Sequence, residues 1–210
     1  MTATLFYLAQ NPKSLGKLRK ELQERFSSAD DIRVLETEGC KYLRACLDEA
    51  MRLCPPSPTN IPRVVGPGGL SIKDGQDIFP EGIYVGVPNF AVFRNAKYFE
   101  DPHQYVPERW MGKQESSEPE KKAPSQMAFQ PFSLGPRHCI GQRLALKEMS
   151  YIIAKLVYLF DFRIVGELGR VKPGVLPDIG RSAVMEQIDV FTSLERGPVM
   201  EWRLRVTSSS

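Results

Sequence analysis

Cysteine and histidine are scarce in this sequence, and their placement excludes several kinds of site. The 210 residues include four cysteines and two histidines. Cys40, Cys46 and Cys54 fall within one predicted helical region, and Cys139 lies far along the chain. This spacing is not that of a disulfide framework, and no Cys-x-x-Cys pair indicates zinc. We therefore expect reduced thiols in a protein that faces the cytosol.

The sequence also lacks a strong excess of charge and a long apolar run. The formal net charge is +3 and the basic residues are scattered, without the basic stripe and interleaved aromatic residues typical of nucleic-acid binding. The apolar run at the amino terminus stops at Asn11-Pro12, which is too short for a bilayer span, and it has no cleavage site. We expect no nucleic-acid partner, no membrane segment in this chain and, as written, a cytoplasmic protein.

The first quarter of the chain predicts helices. Hydrophobic residues make up 42% of the chain and charged residues 25%, which is ordinary for one large or two small folded domains. An apolar helix is expected over residues 2–10, and charged and apolar positions recur at helical spacing over 13–26. Apolar residues at i, i+3 and i+4 predict a third helix over 40–54, which Pro55-Pro56 ends because proline cannot continue the hydrogen-bond ladder.

The remainder of the chain mixes short β-type runs with one apolar helix. Runs within residues 61–87 are separated by glycine and proline clusters and predict a small β-region. Residues 141–160 are apolar on nearly all faces, which is typical of a helix that is buried on most sides. Residues 185–206 predict a hairpin with Gly197-Pro198 near its turn. The expected fold class is mainly α with a small β-region.

Cys139 stands between two glycines, Gly135 and Gly141, directly before the apolar helix. A thiol at a helix start is close to free backbone N–H groups and to the positive end of the helix dipole, which lower its pKa and favour the thiolate. Arg137 adds a positive charge, and the glycines permit close approach of a flat ligand. The arrangement suits a thiolate that faces a large ligand, although inert packing, a reactive thiol and metal ligation all stay open at this point.

Counting residues tests three other kinds of site around the same cysteine. A phosphatase-type loop needs an arginine six residues after the cysteine, where this chain has Ala145. A nucleotide P-loop needs four residues between its glycines, followed by Lys-Ser/Thr, whereas the glycines that flank Cys139 are separated by five residues and followed by Gln142. A cysteine–histidine hydrolase needs His103 or His138 as its base, and neighbours on a turn such as His138 usually point apart.

The residues around Cys139 follow a longer pattern, Phe132-x-x-Gly135-x-Arg137-x-Cys139-x-Gly141. This pattern resembles the haem-binding signature of the cytochrome P-450 family, the haem-thiolate monooxygenases. The chain is similar to the carboxyl-terminal portion of a fungal microsomal-type member. The resemblance implies the carboxyl-terminal part of the cytochrome P-450 fold.

Two further motifs of that family occur in the expected order. Glu49-Ala50-Met51-Arg52 resembles its Glu-x-x-Arg helix, and Pro-Glu-Arg-Trp at 107–110 resembles the segment whose arginine completes a Glu-Arg-Arg cluster. Periodicity alone places Glu49 and Arg52 opposite the apolar stripe, as a solvated i, i+3 pair. The resemblance implies instead that both are buried and paired with Arg109 in a structural cluster.

The resemblance assigns a role to each residue of the loop. It implies that Cys139 is the thiolate axial ligand of haem iron and that Phe132 packs over the sulfur side. Gly135 and Gly141 are expected to leave room for the macrocycle. Arg137 is expected to bind a haem propionate, a bidentate task suited to guanidinium.

By the same resemblance, the expected activity is insertion of one oxygen atom from O2 into an apolar organic substrate, with electrons from an NADPH-dependent reductase. Arg63 is expected to bind the second propionate, and His138 is expected to have no role. Residues 57–60 (Ser-Pro-Thr-Asn) are candidates for lining the substrate pocket. The acid–threonine pair that delivers protons to bound oxygen is expected before Met1, so no catalytic residue is identified in this chain.

The resemblance covers less than half of a family member, so we expect a truncated chain that lacks the oxygen-activating half and is inactive alone. Weak haem retention and an exposed apolar flank on the helix at 144–160 are expected consequences, with aggregation. Two alternatives are a catalytically inactive fragment with weak or no haem binding, and a haem-thiolate isomerase or dehydratase that does not use O2. Full-length relatives are usually anchored in the endoplasmic reticulum membrane and face the cytosol.

Overall fold

The computed structural model describes residues 1–59, 61–73, 75–112, 123–165, 185, 187–190, 192–195 and 197–205. Within these residues the helices are α1 Thr2–Gln10, α2 Pro12–Arg25, α3 Lys41–Leu53, α4 Asn89–Val92, α5 Pro124–Ala128 and α6 Gln142–Leu159. The strands are β1 Arg63–Val64, β2 Leu70–Ile72, β3 Asp77–Phe79, β4 Tyr84–Val85, β5 Phe160–Val165, β6 Gln187–Val190, β7 Thr192–Glu195 and β8 Val199–Leu204. A mainly helical fold with small sheets is thereby confirmed.

The junction between α1 and α2 follows directly from Asn11-Pro12. Proline has no N–H to donate, so it is tolerated at the first position of α2, where that N–H would have no partner. The Asn11 side chain donates a hydrogen bond of 2.7 Å to the carbonyl of Tyr7 in α1. One residue therefore ends the first helix, and its neighbour starts the second.

The start of α3 is capped by a residue from another helix. No side chain of α3 itself caps its first turn. The carboxylate of Glu21 in α2 instead accepts hydrogen bonds from the backbone N–H groups of Tyr42 at 2.7 Å and Leu43 at 2.8 Å. Free N–H groups at a helix start need such acceptors, so Glu21 both satisfies α3 and holds it against α2.

One apolar core joins α1, α2, α3 and α6. Apolar side chains of these helices that are at most 1% exposed include Phe6, Leu8, Leu18, Leu22, Leu43, Leu47, Ile153, Ala154 and Val157. Burial of one large apolar side chain contributes about 1.5–3 kcal/mol, so this four-helix core is the main source of stability. Two of its helices carry or follow the motifs that the sequence singled out. The Glu-x-x-Arg motif lies in α3, and the Cys139 loop directly precedes α6.

The helix expected to be buried on most sides is buried mainly in its second half. Ile153, Val157 and Tyr158 are shielded, whereas Leu144 in the first turn of α6 is 72% exposed. The neighbours of α6 are α2, α3, β5 and the turns at 29–31 and 36–39, and they leave Leu144 uncovered. The apolar residues on all faces of α6 therefore predicted its burial correctly only for the second half of the helix.

The carboxyl-terminal β region differs from the predicted hairpin. β6 and β7 pair antiparallel with each other, whereas β8 pairs with β5, which directly follows α6. Gly197-Pro198 thus lies just before β8 and is not the turn of a hairpin that contains it. Side chains far apart in sequence set this register, because Trp202 packs on Phe162 with 5.1 Å between ring centroids and Arg163 pairs with Glu201 at 2.6 Å.

The remaining strands form two small sheets before the cysteine loop. β1 pairs with β4, and β2 pairs with β3, both antiparallel. These four strands lie between residues 63 and 85. In the part of the chain that the structure describes, no helix is long and apolar enough to cross a membrane.

Candidate functional site

The segment before α6 folds into a tight loop that ends at Cys139. The backbone N–H of Cys139 donates a hydrogen bond of 2.8 Å to the carbonyl of Phe132, which closes the loop. Inside it, Ser133 N–H bonds to the carbonyl of Gln130 at 3.0 Å, and a single 3-10 turn spans Gly135–Arg137. Residues 130–139 are therefore held by their own backbone hydrogen bonds.

The helix begins slightly later than the sequence indicated. The N-cap of α6 is Gly141, so Cys139 lies two residues before the N-cap and is not part of the first turn. The carbonyl of Cys139 accepts from the N–H of Gln142 at 3.2 Å. Among the described residues no N–H group donates to the Cys139 sulfur, so the thiol is near the helix start without being one of its capping groups.

Cys139 differs from the other cysteines in its exposure. Cys40, Cys46 and Cys54 are buried, and Cys139 is exposed. Burial raises the pKa of the Cys40 thiol to about 11, with a further contribution from Glu21, and burial also raises the pKa of Cys46. A thiolate is therefore disfavoured at Cys40 and Cys46, and Cys139 is the cysteine that solvent or a ligand can reach.

The loop around the Cys139 thiol is open and exposes apolar side chains beside Arg137 and His138. Ile140 is 100% exposed, Leu144 is 72% exposed and Leu134 is 64% exposed. A Cβ atom added at Gly141 would lie 3.8 Å from the Cys139 sulfur, and one added at Gly135 would meet nothing within 4 Å. An exposed thiol bordered by glycines and apolar side chains leaves room for a large flat apolar ligand.

The other loop residues are placed as follows. Phe132 is half-buried and lines a cavity of about 350 Å³ together with Gly135 and His138. His138 Nδ1 lies 3.0 Å from the carbonyl of Gly135, so this ring nitrogen is occupied within the loop. The Arg137 side chain is exposed.

Arg63 lies in β1, opposite Val85. Its side chain is exposed and donates to the carbonyls of Ile61 at 3.3 Å and Pro62 at 3.1 Å. These contacts keep the guanidinium beside its own strand in this structure. Asn60 lies outside the described residues, and the preceding turn is tied to α4, because Phe90 N–H donates to the carbonyl of Pro58 at 2.8 Å.

Glu49, Arg52 and Arg109 come together in the interior. Glu49 and Arg52 are both fully shielded, at 0% exposure. Arg52 Nε and Nη2 donate to the two oxygens of Glu49, each at 2.9 Å, and Arg109 Nε donates to Glu49 Oε1 at 3.0 Å. The solvated pair that periodicity favoured is wrong, because the 3-10 turn at residues 107–110 and the segment 93–104 cover this face of α3.

The covering segment binds Arg52 through backbone carbonyls. Arg52 Nη1 donates to Phe93 O at 2.7 Å and to Pro102 O at 2.6 Å, and Nη2 also donates to Gln104 O at 3.0 Å. Val106 N–H donates to Glu49 Oε1 at 2.9 Å. The charges are thus compensated by each other and by backbone groups, which is what a buried ion pair requires.

Two residues of this region were not singled out from the sequence. Trp110 Nε1 donates to Glu49 Oε2 at 2.9 Å, and its position directly after Arg109 was the available signal. Arg94 is buried, donates to the carbonyl of Leu53, and lies over the Phe90 ring with 3.6 Å to the centroid. Burial lowers the pKa of Arg94 to about 10, and no sequence pattern indicated that this arginine would be interior.

The residues around Cys139 are compatible with a haem. Within the described residues no group of three or more His, Cys, Asp or Glu side chains could hold a metal. A porphyrin supplies four nitrogen ligands itself, so a single protein thiolate is sufficient for its iron. The exposed Cys139 thiol, with space beside it at Gly135 and Gly141, is compatible with that requirement.

The fold and the loop define a mainly helical protein with one exposed thiol on a tight loop and a buried Glu-Arg-Arg cluster. The family model of cytochrome P450 matches residues 1–174. The chain belongs to the cytochrome P450 family.

Curated relatives at moderate identity are fungal cytochrome P450 monooxygenases. Cytochrome P450 monooxygenase AFT11-1 of Alternaria alternata is 39% identical over 98% of this chain and 40% of its own length. Cytochrome P450 monooxygenase apf8 of Gibberella fujikuroi is 36% identical over 98% of this chain and 55% of its own length. The hepD monooxygenase of Aspergillus oryzae is 40% identical over 80% of this chain and 33% of its own length. The chain therefore spans about half or less of the length of these relatives.

Proposed function

We propose that this chain provides the thiolate side of a haem-thiolate monooxygenase, in which the Cys139 thiolate would bind the haem iron. The observation that carries the proposal is the placement of Cys139. It is the exposed one of four cysteines, and it stands in an open loop between two glycines. Family membership supports the same assignment, since the loop carries the residues of the family's haem-binding pattern.

The residues around Cys139 would hold the macrocycle by shape and by removal of apolar surface from water. Gly135 and Gly141 leave space at the thiol, and the exposed side chains of Leu134, Ile140 and Leu144 offer apolar contact. Bound haem supplies a redox-active iron whose thiolate ligand favours O–O cleavage. Phe132, half-buried beneath the loop, would limit access of water to the sulfur side.

Two exposed arginines are candidates for the propionates. Arg137 follows the glycine turn of the loop, and Arg63 lies in β1. Guanidinium binds a carboxylate bidentately, so either side chain could anchor one propionate. For Arg63 this requires that it exchange its present backbone acceptors, Ile61 O and Pro62 O, for the ligand.

The reaction of the whole protein is proposed from the family. It would convert R–H, O2, two electrons and two protons into R–OH and water, with an NADPH-dependent reductase as electron donor and an apolar small molecule as substrate. The Ser57–Thr59 turn is the part of this chain proposed to face that substrate. Asn89 Nδ2 holds the turn by donating to Ser57 O at 3.1 Å.

Carbon monoxide spectroscopy of the full chain tests the ligand assignment. The chain is expressed with haem supplied, reduced and exposed to carbon monoxide. A red-shifted Soret band, characteristic of a thiolate-ligated adduct, is expected from the wild type and from Cys40→Ala, since Cys40 is buried. The band is expected to be lost in Cys139→Ser.

The other outcomes separate the alternatives. A band that survives Cys139→Ser overturns the ligand assignment. A folded wild-type chain without the band supports the second candidate, a fragment that binds haem weakly or not at all, which the exposure of Ile140 and Leu144 favours because apolar haem contacts there are open to solvent. Addition of an oxygenated substrate without O2 would detect an isomerase or dehydratase.

A further inference from the structure

Trp110 touches both the buried charge cluster and the segment that leads to Cys139. It ends the 3-10 turn Pro107–Trp110. Its indole N–H donates to Glu49 Oε2 at 2.9 Å. Its ring packs on Phe129, with 4.5 Å between centroids and 45° between planes. Among the residues that bond to the Glu49 carboxylate, Trp110 is the one whose ring also packs on the segment before the cysteine loop.

The hydrogen bond from Trp110 to Glu49 depends on the indole N–H, which other aromatic rings at this position would lack. Glu49 Oε1 accepts from Arg52, Val106 and Arg109, whereas Oε2 accepts from Arg52 Nε and Trp110 Nε1. A buried carboxylate oxygen that loses a donor is costly, because no water replaces it. Phenylalanine at this position would keep the ring contact and remove the donor.

The apolar end of Trp110 leads to the cysteine loop through Phe129. Phe129 is the C-cap of α5 and also packs on Phe93, at 5.1 Å between centroids. It lines the same cavity as Phe132 and Gly135. The carbonyl of Phe132 accepts the Cys139 N–H at 2.8 Å, and Phe132 follows Phe129 by three residues in the chain, so the Phe129 ring links Trp110 to the stretch that holds Cys139.

We propose that Trp110 is a positioning residue for Cys139. It transmits the fixed position of the Glu49–Arg52–Arg109 cluster to the loop through the Phe129 ring, and thereby keeps the Cys139 N–H bonded to Phe132. The importance of this position for haem rests on the proposed function. The mechanical link between Trp110 and the loop does not, because it concerns only the chain's own contacts.

Hydrogen exchange of the Cys139 amide tests that link without haem. The amide must break its bond to Phe132 before it exchanges, so its rate reports opening of the loop. In the full chain, Trp110→Phe is expected to exchange this amide about tenfold faster, because a hydrogen bond to a charged group is lost. The Phe26 amide, bonded to Leu22 O at 2.9 Å in α2, is the internal reference and is expected to be unchanged.

A matched substitution and a double variant complete the design. Trp202→Phe makes the same change in the β5–β8 sheet, where Trp202 packs on Phe160 and Phe162, and is expected to leave the Cys139 amide unchanged. Phe129→Leu keeps the indole hydrogen bond and is expected to accelerate exchange as Trp110→Phe does. The double variant is expected to exchange no faster than the faster single variant, since each interrupts the same route from the charge cluster to the loop at a different contact.

Several results overturn the inference. The first is a Cys139 amide that is unprotected from exchange in the wild type. The second is an exchange rate of this amide that is unchanged in both Trp110→Phe and Phe129→Leu. The third is a pair of rate increases that multiply in the double variant. If Trp110→Phe does not fold, Phe129→Leu alone decides, because it leaves the charge cluster intact.

The carbon monoxide spectrum separates this inference from the proposed function. With haem bound, Trp110→Phe is expected to convert part of the thiolate-type band into the band of an adduct without thiolate, and Trp202→Phe is not. A wild type without any haem band overturns the proposed function, and amide exchange still decides the role of Trp110. A normal band ratio together with unchanged amide exchange in Trp110→Phe overturns the positioning role alone.

Discussion

Glu49 and Arg52 face each other from one turn of α3 to the next, both fully shielded from solvent and joined by two hydrogen bonds of 2.9 Å. The pair is not a source of stability in itself, because both charges had to leave water. The pair instead fixes the position of the segments that pack on α3. Its remaining donors and acceptors bind Arg109, Trp110 and the 93–106 backbone, so the chain on either side is held at one position on α3.

Glu49→Gln is expected to destabilise the fold by about 3–5 kcal/mol, because Arg52 and Arg109 keep their buried charges without a carboxylate. Urea unfolding followed by circular dichroism measures the change. Glu24→Gln is the matched control, since Glu24 and Lys20 are exposed and lie 3.7 Å apart on α2; its expected cost is within about 0.5 kcal/mol. Equal costs for the two variants would contradict the buried cluster.

Glu21→Ala is expected to cost about 1–2 kcal/mol, because the N–H groups of Tyr42 and Leu43 lose their capping acceptor. Thermal unfolding measures the loss. Glu38→Ala removes an exposed carboxylate that pairs with Lys147 at 3.0 Å and is expected to have a much smaller effect. A melting temperature that falls equally in both variants would show that the cap contributes nothing specific.

In the native chain at pH 8, a thiol reagent is expected to label Cys139 first and to leave Cys40, Cys46 and Cys54 unlabelled. The last three are buried, and burial raises the pKa of Cys40 to about 11 and also raises that of Cys46. Mass spectrometry of the labelled chain counts the modified thiols. In urea all four cysteines are expected to react. Native labelling of the buried three at a rate like that of Cys139 would contradict the core.

Gly135→Ala is expected to lower stability by about 1–2 kcal/mol, because Gly135 has φ of +71° and an L side chain strains that conformation. A Cβ at this position meets nothing within 4 Å, so the effect isolates the backbone. Gly16→Ala in α2, also without a neighbour within 4 Å, is expected to stabilise by about 0.5–1 kcal/mol. Urea titrations of both variants measure the two changes in unfolding free energy, which are expected to have opposite signs. A Gly135→Ala variant with unchanged stability would contradict the loop geometry.

Glu108 is expected to make stability depend on pH. Partial burial raises its pKa, but hydrogen bonds from Lys17 and Tyr42 outweigh this, and the folded-state pKa is lowered. Its stabilisation is therefore present above the ordinary glutamate pKa of about 4.3 and is lost as the pH falls through the lowered folded value.

The test of this pH dependence compares the wild type with Glu108→Gln. Unfolding free energies measured from pH 7 down to pH 3 are expected to show a difference at neutral pH that shrinks on acidification. High salt is expected to reduce the difference as well, because the Lys17 and Glu108 side chains are 58% and 41% exposed. A difference that is constant across this pH range would show that the carboxylate does not carry the effect.

Local signals in the sequence predicted the helices close to their observed ends. The predicted ranges 2–10, 13–26 and 40–54 differ from α1, α2 and α3 by one residue at most at each end. Proline and apolar periodicity act within a few residues, and such signals can be read without knowing the fold. The family was also identified from the Cys139 loop, and the comparisons confirm it.

Predictions failed where a distant segment decides the outcome. The partner of β8 is β5, about 40 residues earlier in the chain, and Gly197-Pro198 carries no information about which strand pairs with which. The periodicity of α3 predicted that Glu49 is exposed to solvent. This prediction was wrong because a helical wheel cannot show that residues 93–110 cover that face of the helix. The contact of Trp110 with Phe129 has the same origin.

By itself, the sequence determined where the helices start and stop, which cysteine stands among glycines before a helix, and the family to which the chain belongs. These depend on backbone preferences and on the order of residues within short stretches. Only the tertiary structure decided that Glu49 and Arg52 are interior, that Cys139 is the exposed thiol, and that Trp110 joins the charge cluster to the loop. Burial and pairing are properties of segments brought together from far apart, because the free energy of a charge or an aromatic ring depends on what packs against it.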